Sequence, residues 1–351
     1  SIRVATVTNI NTGKKYLETT AGNFYYDYLV IATGATTNYF GNESIQKNSF
    51  SMKTTLEALQ IRNTLITCFE EAVSNKTSIN KNLLSVVIVG GGPTGVELSG
   101  ALAEMKRDSL PLEYPELDFS VMQIYLLEGS PKLLASMSEA SSKKSKEYLE
   151  KLGVTVKTNT IVKEYDGKQV LLQDSSTIRT NFVIWAAGVK GNAPLGINPD
   201  IISKSNQLKT DSYNKVISFD TIFAIGDIAL MESENHPKGY PQLANVAIDQ
   251  AKNLANNFKL LAKGKQINPF HYINKGTMAT IGRNKAVVDL AKPKLSFQGF
   301  FAWLLWMTLH LFLLIGFKNK ILVFVNWIYK YFTHHQSLSL LFEPLVKRNK
   351  P

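Results

Sequence analysis

The chain has 351 residues and one cysteine, Cys68. No disulfide framework, CxxC redox pair or thiolate zinc site can be assembled within it, and a reducing compartment is the default expectation. Residues 1–12 show neither the basic segment nor the apolar core of a secretory signal. Charged residues make up only 19% beside 44% apolar ones, an ordinary globular balance that excludes wholesale disorder. The charge leans one way: 39 Lys and Arg against 28 Asp and Glu give a net +11. An anionic partner fits that excess, whether nucleic acid, an acidic membrane surface or a phosphorylated cofactor. No recognition motif accompanies the basic residues, so nucleic acid is set aside.

Ile2–Ile10 alternates apolar and polar residues as a half-buried strand does, and Asn11-Thr12-Gly13 marks a turn. Residues 28–35 (YLVIATGA) predict a short strand running into glycine. Residues 52–73 predict a helix with Leu56, Leu59, Leu65, Ile66 and Phe69 turned inward. The polar stretch 74–82 predicts a domain boundary. From Leu84 the pattern becomes β-α-β, with strands at 86–89, 122–127 and 154–156 and helices at 94–106 and 139–152. Segments 161–165, 168–173 and 178–184 read as short antiparallel strands, 222–227 as another apolar strand and 243–261 as a helix. Alternating β and α with short connections predicts doubly wound α/β domains.

Gly90-Gly91-Gly92-Pro93-Thr94-Gly95 fits G-x-G-x-x-G directly after a buried strand and at a helix start. The first glycine permits the tight turn, and the second lets backbone approach a pyrophosphate. The third lets helix and strand pack closely, and the helix N-terminus meets the negative charge. Alone the pattern is weak; in this context it predicts dinucleotide binding. The next strand ends at Glu128, whose carboxylate can accept from a ribose and repel a 2′-phosphate, which favours NADH over NADPH. Glu128 lies 33 residues past Gly95, beyond the usual ~20, and residues 108–119 read as an insertion. The plainer alternative is a solvated strand-end glutamate. Three apolar strands end in small-residue turns at Thr33-Gly34, Ala187-Gly188 and Gly226-Asp227, where ligands bind in open α/β sheets.

Taken together these segments resemble the type II (non-proton-pumping) NADH:quinone oxidoreductases, in the two-dinucleotide-fold flavoprotein superfamily. The resemblance runs over essentially the whole chain, on residues 26–35, 87–100, 125–131, 183–191 and 222–229. Residues 241–251 (PQLANVAIDQA), 278–290 (MATIGRNKAVVDL) and the aromatic tail 303–327 point to the membrane-bound, quinone-reducing branch. It implies an α/β fold of two interleaved Rossmann-like domains binding FAD and NADH, with a C-terminal amphipathic-helix membrane module. The FAD domain would be split over 1–82 and 190–295, the NADH domain would be 83–189, and the membrane module 296–351. Thr33 and Gly34 would lie near FAD, Asp227 would hold its ribitol, and Ala244 with Asn245 would border the isoalloxazine. Gly188 and Gly226 would complete the cofactor-facing turns. Gly90, Gly91, Gly92, Gly95 and Glu128 would carry NADH, and Glu97 is the candidate catalytic residue, near the nicotinamide. No protein nucleophile or metal is required.

Two departures from that pattern matter. The family's quinone segment reads A-Q-x-A-x-Q, whereas here it is Ala244-Asn245-Val246-Ala247-Ile248-Asp249 with Gln250 next. Asn245, Asp249 and Gln250 are the implied quinone residues. Ionised Asp249 only accepts hydrogen bonds, and beside an apolar channel it would lose solvation or take up a proton. The second departure is that the family's first strand, its glycine loop for the FAD diphosphate and the acid that follows are missing. The only such glycine pattern is at 90–95. The expectation is a fragment lacking its main grip on FAD.

Residues 300–317 hold 18 uncharged residues, and as one helix they would span about 27 Å, just enough for a bilayer core. Trp303, Trp306 and His310 recur at three- to four-residue spacing, and Trp327, Tyr329 and Tyr331 follow. Such rings favour attachment at the headgroup level over a span; a buried core or dimer helix, with Trp303 and Trp306 as plain core, is the alternative. Residues 295–351 carry six Lys or Arg against one acid, Glu343. The expectation is a peripheral protein on the cytoplasmic face of the cell membrane, passing electrons to a quinone, with a homodimer left open. Its rivals are a truncated NADH-binding membrane protein without catalysis and a soluble NADH-dependent ferredoxin-type reductase.

Overall fold

The computed structural model describes residues 1–74 and 84–333. Nearly all of the polar boundary at 74–82 lies outside the described residues, as do Glu343, Lys347, Arg348 and Lys350 of the basic tail. The chain divides into two units, Ser1–Asn38 with Val189–Asn274, and Tyr39–Gly188 with Lys275–Pro351.

Along the chain, β1 (Val7–Asn11), β2 (Tyr16–Thr19) and β3 (Gly22–Tyr25) form an antiparallel sheet, followed by β4 (Leu29–Ile31) and β5 (Ala35–Thr37). Next come α1 (Glu43–Asn48), β6 (Phe50–Ser51), α2 (Thr55–Ser74), β7 (Ser85–Val89), α3 (Pro93–Glu104) and α4 (Leu110–Glu113). They lead to β8 (Gln123–Leu127), α5 (Glu139–Lys151), β9 (Val154–Lys157), β10 (Val162–Tyr165), β11 (Gln169–Leu172), β12 (Thr177–Arg179) and β13 (Phe182–Trp185). The chain continues through β14 (Val189–Gly191), β15 (Leu208–Thr210), β16 (Ile222–Ala224), β17 (Ala229–Met231) and α6 (Ala244–Leu261). It closes with β18 (Thr277–Gly282), β19 (Lys285–Leu290), β20 (Leu295–Gln298), α7 (Phe300–Leu313) and α8 (Phe317–Thr333).

In the second unit β6, β13, β7, β8 and β9 lie side by side, all parallel. Both faces are covered, which is why β7 reads as an unbroken apolar run. Val86, Ile88, Leu126 and Ile184 face α2, α3 and α5, while Val87, Val89, Leu127, Val183 and Trp185 face the β10–β12 sheet and α1. Segment 178–184, expected as one antiparallel strand, divides: β12 ends an antiparallel meander, and β13 enters the parallel sheet beside β7. Thr180 makes the break, its hydroxyl donating to the Ser85 carbonyl at 2.5 Å. Leu56 of α2 is 71% exposed, not inward as expected, because it sits in the first turn; Ile61, Leu65, Ile66 and Phe69 form the buried stripe.

The units divide the chain elsewhere than the boundaries expected from sequence. Residues 39–74 join the second unit because β6 pairs with β13, and α2 packs into the same core as β7 and β8. Residues 275–295 join it because Ala279, Ile281 and Val287 enter that core. Asp289 also fastens β19 to the start of α5: its carboxylate accepts from the Ser138 N–H at 2.7 Å and the Ser141 hydroxyl at 2.8 Å. The other unit is built on three short pairs, β4 with β16 and β15 with β17 parallel, β5 with β14 antiparallel, around Ile31, Leu208, Val216, Ile222 and Ala224.

Residues 300–317 do not form one helix. α7 stops at Leu313 and the chain turns through Gly316 at φ +86° before α8. A 14-residue helix is about 21 Å long, short of a hydrocarbon core. Among the described residues no helix is long and apolar enough to cross a membrane.

α3 approaches its neighbours unusually closely. A Cβ on Gly95 would stand 1.9 Å from the Gly90 carbonyl oxygen, and one on Gly100 would stand 1.8 Å from that of Ile281 in β18. Both are backbone atoms that cannot swing aside. Alanine gains about 1 kcal/mol of intrinsic helix preference over glycine, but overpacking of this kind costs about 1–3 kcal/mol or more. Gly100→Ala is therefore expected to lower unfolding free energy by about 2 kcal/mol, read from the urea midpoint. A neutral or stabilised variant would show that α3 and β18 are not held in this contact.

Candidate functional site

The second unit carries the glycine loop where the sequence expects it, between β7 and α3. Gly90 sits at φ +113°, a conformation that side chains resist, and a Cβ there would stand 2.5 Å from the Ala186 carbonyl oxygen. Its N–H donates to the Leu127 carbonyl at 2.8 Å, tying the loop to the end of β8. Gly92 caps α3, with Pro93 at the first helical position. A Cβ on Gly92 would meet nothing within 4 Å, so the loop is open at the helix N-terminus. The open side carries the unpaired N–H groups and positive end of α3, an anion-binding arrangement.

Glu128 ends β8 beside this loop. Its carboxylate accepts from the Gly91 N–H at 2.5 Å and the Ser130 N–H at 2.6 Å. Gly90, Glu128, Val89, Trp185 and Ala187 line one cavity of about 430 Å³ at the carboxyl ends of β7, β8 and β13, walled further by Tyr39 and Phe40. Gly188 lies just beyond β13 at φ +154° and would bring a Cβ to 3.3 Å of the Phe40 ring. Four of the expected dinucleotide residues, Gly90, Gly92, Gly95 and Glu128, therefore meet at one strand-helix junction. Gly91 supports Glu128 by its N–H.

Glu97 lies one turn further along α3 and lines a different cavity of about 300 Å³. Trp303, Trp306 and Met307 of α7, Trp327 and Tyr331 of α8, and Arg283 complete much of its wall. Burial pushes the Glu97 carboxyl above its ordinary range, against the Thr280 N–H that donates to it at 3.3 Å and the nearby His310. Arg283 is held at that wall: its backbone N–H donates to Glu104 at 2.6 Å, and its guanidinium lies 4.1 Å from the Tyr331 ring centre. Trp303 and Trp306, expected as headgroup-level rings, are half-buried and turned to this cavity. Sequence reasoning missed Arg283, Thr280 and Met307 here; helical spacing showed a stripe, not what the stripe covers.

In the other unit Thr33-Gly34 and Gly226-Asp227 follow β4 and β16, which pair in parallel, so the two turns stand side by side. Gly34 and Gly226 both take positive φ, +68° and +73°. The Thr33 hydroxyl donates to the Asn192 carbonyl at 2.7 Å, and the Asp227 carbonyl accepts from the side-chain amides of Gln207 and Gln242. Ala244 opens α6, with Asn245 and Asp249 on its first turns. Gln250, expected at the quinone, is buried, and its amide oxygen accepts the Gly226 N–H at 2.7 Å. It holds the Gly226-Asp227 turn.

Residues 2–251 match the pyridine nucleotide-disulphide oxidoreductase family. The chain belongs to that family. Residues 274–335 match the NDH2 C-terminal domain, which covers the strands and helices around Glu97. The chain is 32% identical over 318 residues to the type II NADH:quinone oxidoreductase Ndh of Mycobacterium tuberculosis, covering 86% of this chain and 66% of that protein. With the type II NADH:quinone oxidoreductase of Haemophilus influenzae it shares 28% over 339 residues, 88% of this chain and 76% of that protein. The fold matches NDH2 from Plasmodium falciparum, solved in complex with NADH, at a TM-score of 0.85 and 22% identity, covering 95% of this chain and 84% of that one. The chain thus spans just under two thirds of the mycobacterial relative's length. The resemblance drawn from the motifs is met by relatives of that name, and the expected α/β fold is met by the structure.

The raised Glu97 carboxyl has a measurable consequence. Its folded-state value lies above the unfolded one, so its contribution to stability is present at low pH and lost as pH rises through the folded value. The variant Glu97→Gln keeps the acceptor for Thr280 and has nothing to ionise at that position. The melting temperature of Glu97→Gln relative to the parent should therefore climb by a few degrees between pH 5 and pH 8. A constant difference across that range would mean Glu97 is not buried as described.

Proposed function

We propose that this chain is the NADH- and quinone-reacting part of an FAD-dependent, non-proton-pumping NADH:quinone oxidoreductase attached to a membrane surface. The observation that carries the reading is the course of α3. Its N-terminus opens on a dinucleotide-shaped loop, and Glu97 in its second turn enters a tryptophan-walled cavity built by the C-terminal helices.

NADH fits the first of these places. Gly92 leaves room for a pyrophosphate at the α3 N-terminus, and Glu128 can exchange the Gly91 N–H for ribose hydroxyls. FAD fits in part. The paired turns at Thr33-Gly34 and Gly226-Asp227 offer backbone and a carboxylate to the polyol end of a flavin, with Ala244 and Asn245 at the start of α6. Among the described residues no second glycine loop is present for its diphosphate. Bound flavin supplies the hydride acceptance and two-electron release that no side chain here can perform. The chain's own residues bind, orient and exclude water: the glycine loop fixes the nucleotide, and the aromatic wall around Glu97 offers a planar apolar site for a quinone. On α6, Asn245, Asp249 and Gln250 are the quinone-side candidates that the resemblance implies, Gln250 also accepting the Gly226 N–H.

Membrane attachment rests on the outer surface of α7 and α8. Phe301, Phe312, Phe317 and Phe332 are each at least 71% exposed, and Ile315 is 90% exposed. A contiguous apolar face of this kind is unusual on a soluble monomer, and Lys318 and Lys320 flank its tip. We place this face against the cytoplasmic leaflet, where NADH is supplied.

Two measurements test the reading. Protein purified in detergent should show a flavin spectrum that NADH bleaches anaerobically and a quinone restores; colourless protein would remove FAD-dependent catalysis from this chain. Gly92→Ala should fold normally, because its φ of −71° suits any residue, yet bind NADH about tenfold or more weakly by filling the pyrophosphate position. Unchanged affinity in a fluorescence titration would place the nucleotide elsewhere.

A further inference from the structure

Among the described residues nine besides glycine take positive φ, and two of them, Phe40 and Leu134, carry large apolar side chains. That backbone region disfavours bulky residues, so each position needs a physical reason. Leu134 has one in the fold: it is buried, and its N–H donates to the Gly91 carbonyl at 2.8 Å. Phe40, at φ +52°, stays 67% exposed. Burial is therefore not what keeps a phenylalanine there. A glycine would adopt the same turn at no steric cost.

The turn that presents this ring is fixed by its neighbours. The Asn42 N–H donates to the Tyr39 carbonyl at 2.9 Å, closing the turn around Phe40 and Gly41. The Asn42 side chain caps α1 at the Ile45 N–H and donates to the Lys163 carbonyl of β10 at 2.7 Å. Phe40 meets Trp185 edge-on, 6.5 Å between ring centres with the planes 65° apart. It also lies along the Gly188 backbone, where a Cβ would stand 3.3 Å from the ring. Tyr39 stacks on the same indole at 6.2 Å. All three rings line the cavity that holds Gly90 and Glu128.

Topology decides which half of a dinucleotide meets this ring. β7 lies between β8 and β13. With the pyrophosphate at the N-terminus of α3 and the adenosine ribose on Glu128, the adenosine half occupies the β8 side. The nicotinamide half then runs over the end of β13, at Ala187-Gly188, and Phe40 stands at that end. Resting on the NADH reading of the glycine loop, we propose that Phe40 is a specificity-determining residue that packs against the nicotinamide ring. A flat heteroaromatic ring gains from an aromatic face or edge. The riboses and phosphates of the remainder are polar and gain little. Phe40 thereby distinguishes a complete dinucleotide from its ADP-ribose portion.

The test compares NAD⁺ with ADP-ribose, which keeps both riboses and the pyrophosphate but lacks the nicotinamide. Neither has a hydride to give, so the comparison is made on the full chain as purified. Phe40→Gly removes the ring while suiting the φ of the turn, so its melting temperature should stay within about two degrees of the parent or rise. In calorimetric titration Phe40→Gly should weaken NAD⁺ about fivefold or more and leave ADP-ribose within about twofold of the parent. Phe40→Tyr should restore the NAD⁺ affinity. Equal weakening of both ligands, or of neither, would overturn the proposal, as would a tyrosine variant that binds no better than the glycine one. A melting temperature lowered by several degrees would show that the ring serves the fold, and would overturn it too. Failure of ADP-ribose to bind the parent would instead reject the NADH reading of the loop and take this proposal with it.

Discussion

The second unit depends on how closely α3 lies against backbone at both ends. At its start Gly95 rests on the Gly90 carbonyl, and further along Gly100 rests on the Ile281 carbonyl. Neither contact leaves space for a methyl group, so the helix axis is fixed against β7 on one side and β18 on another. Everything chemical in this unit is referred to that axis. The N-terminus is aimed at the mouth of the glycine loop because Gly95 lets the first turn sit down on the strand. Glu97 and Ala101, four residues apart and on one face, are aimed at the C-terminal helices because Gly100 admits β18 alongside. Glu97 and Glu104, seven apart on α3, then accept the Thr280 and Arg283 backbone N–H groups near the end of β18. Small residues set the distance, and carboxylates lock the register.

That geometry decides the electrostatics of Glu97. Three influences favour its ionised form: the positive end of α3, the Thr280 N–H and His310. The helix end contributes about 0.3–1 kcal/mol at an exposed site and fades beyond the first turn. A hydrogen bond at 3.3 Å is long and correspondingly weak. Burial beneath three indoles opposes all of them and wins, since the carboxyl is held above its ordinary range. A dipole argument from sequence position alone would have given the opposite sign. A carboxylate near a helix start is set by what covers it before it is set by the helix.

The parts of this protein legible in the sequence are those governed by local rules. The glycine loop, the strand before it and Glu128 after it follow from a tight turn, a close approach and a strand end, and each stands where the motif places it. The paired turns at Thr33-Gly34 and Gly226-Asp227 were legible as strand ends, and β4 beside β16 brings them together. Less legible was what distant partners decide. β13 was legible as an apolar strand ending at Ala187-Gly188, but its break from the meander strand β12 was not, because Thr180 makes that break through the distant Ser85 carbonyl. Residues 275–295 could not be assigned to their unit, because Ala279, Ile281 and Asp289 find partners more than a hundred residues earlier. Gln250 read as a ligand residue from its segment, and only the Gly226 N–H shows where its amide oxygen goes.

The C-terminal helices illustrate the same limit in reverse. From sequence, tryptophans recurring along an apolar helix suggested an outward belt. In the structure the indoles are on the inner side, and phenylalanine, leucine and isoleucine hold the outer one. α7 is apolar on every side, so periodicity could not say which side was inner. The resolution is steric: a cavity beside a short-side-chain helix such as α3, lined there by Ala101, needs large rings to wall it, and indoles supply the most area per residue. Once those rings are committed inward, the outer surface of α7 and α8 and the tip at Ile315 are what stays exposed. On the proposed attachment, membrane face and Glu97 cavity would share one hairpin, and seating it more deeply in a bilayer would pull the indoles away from α3. In the proposed enzyme, the depth of membrane insertion is limited by the same side chains that wall the site.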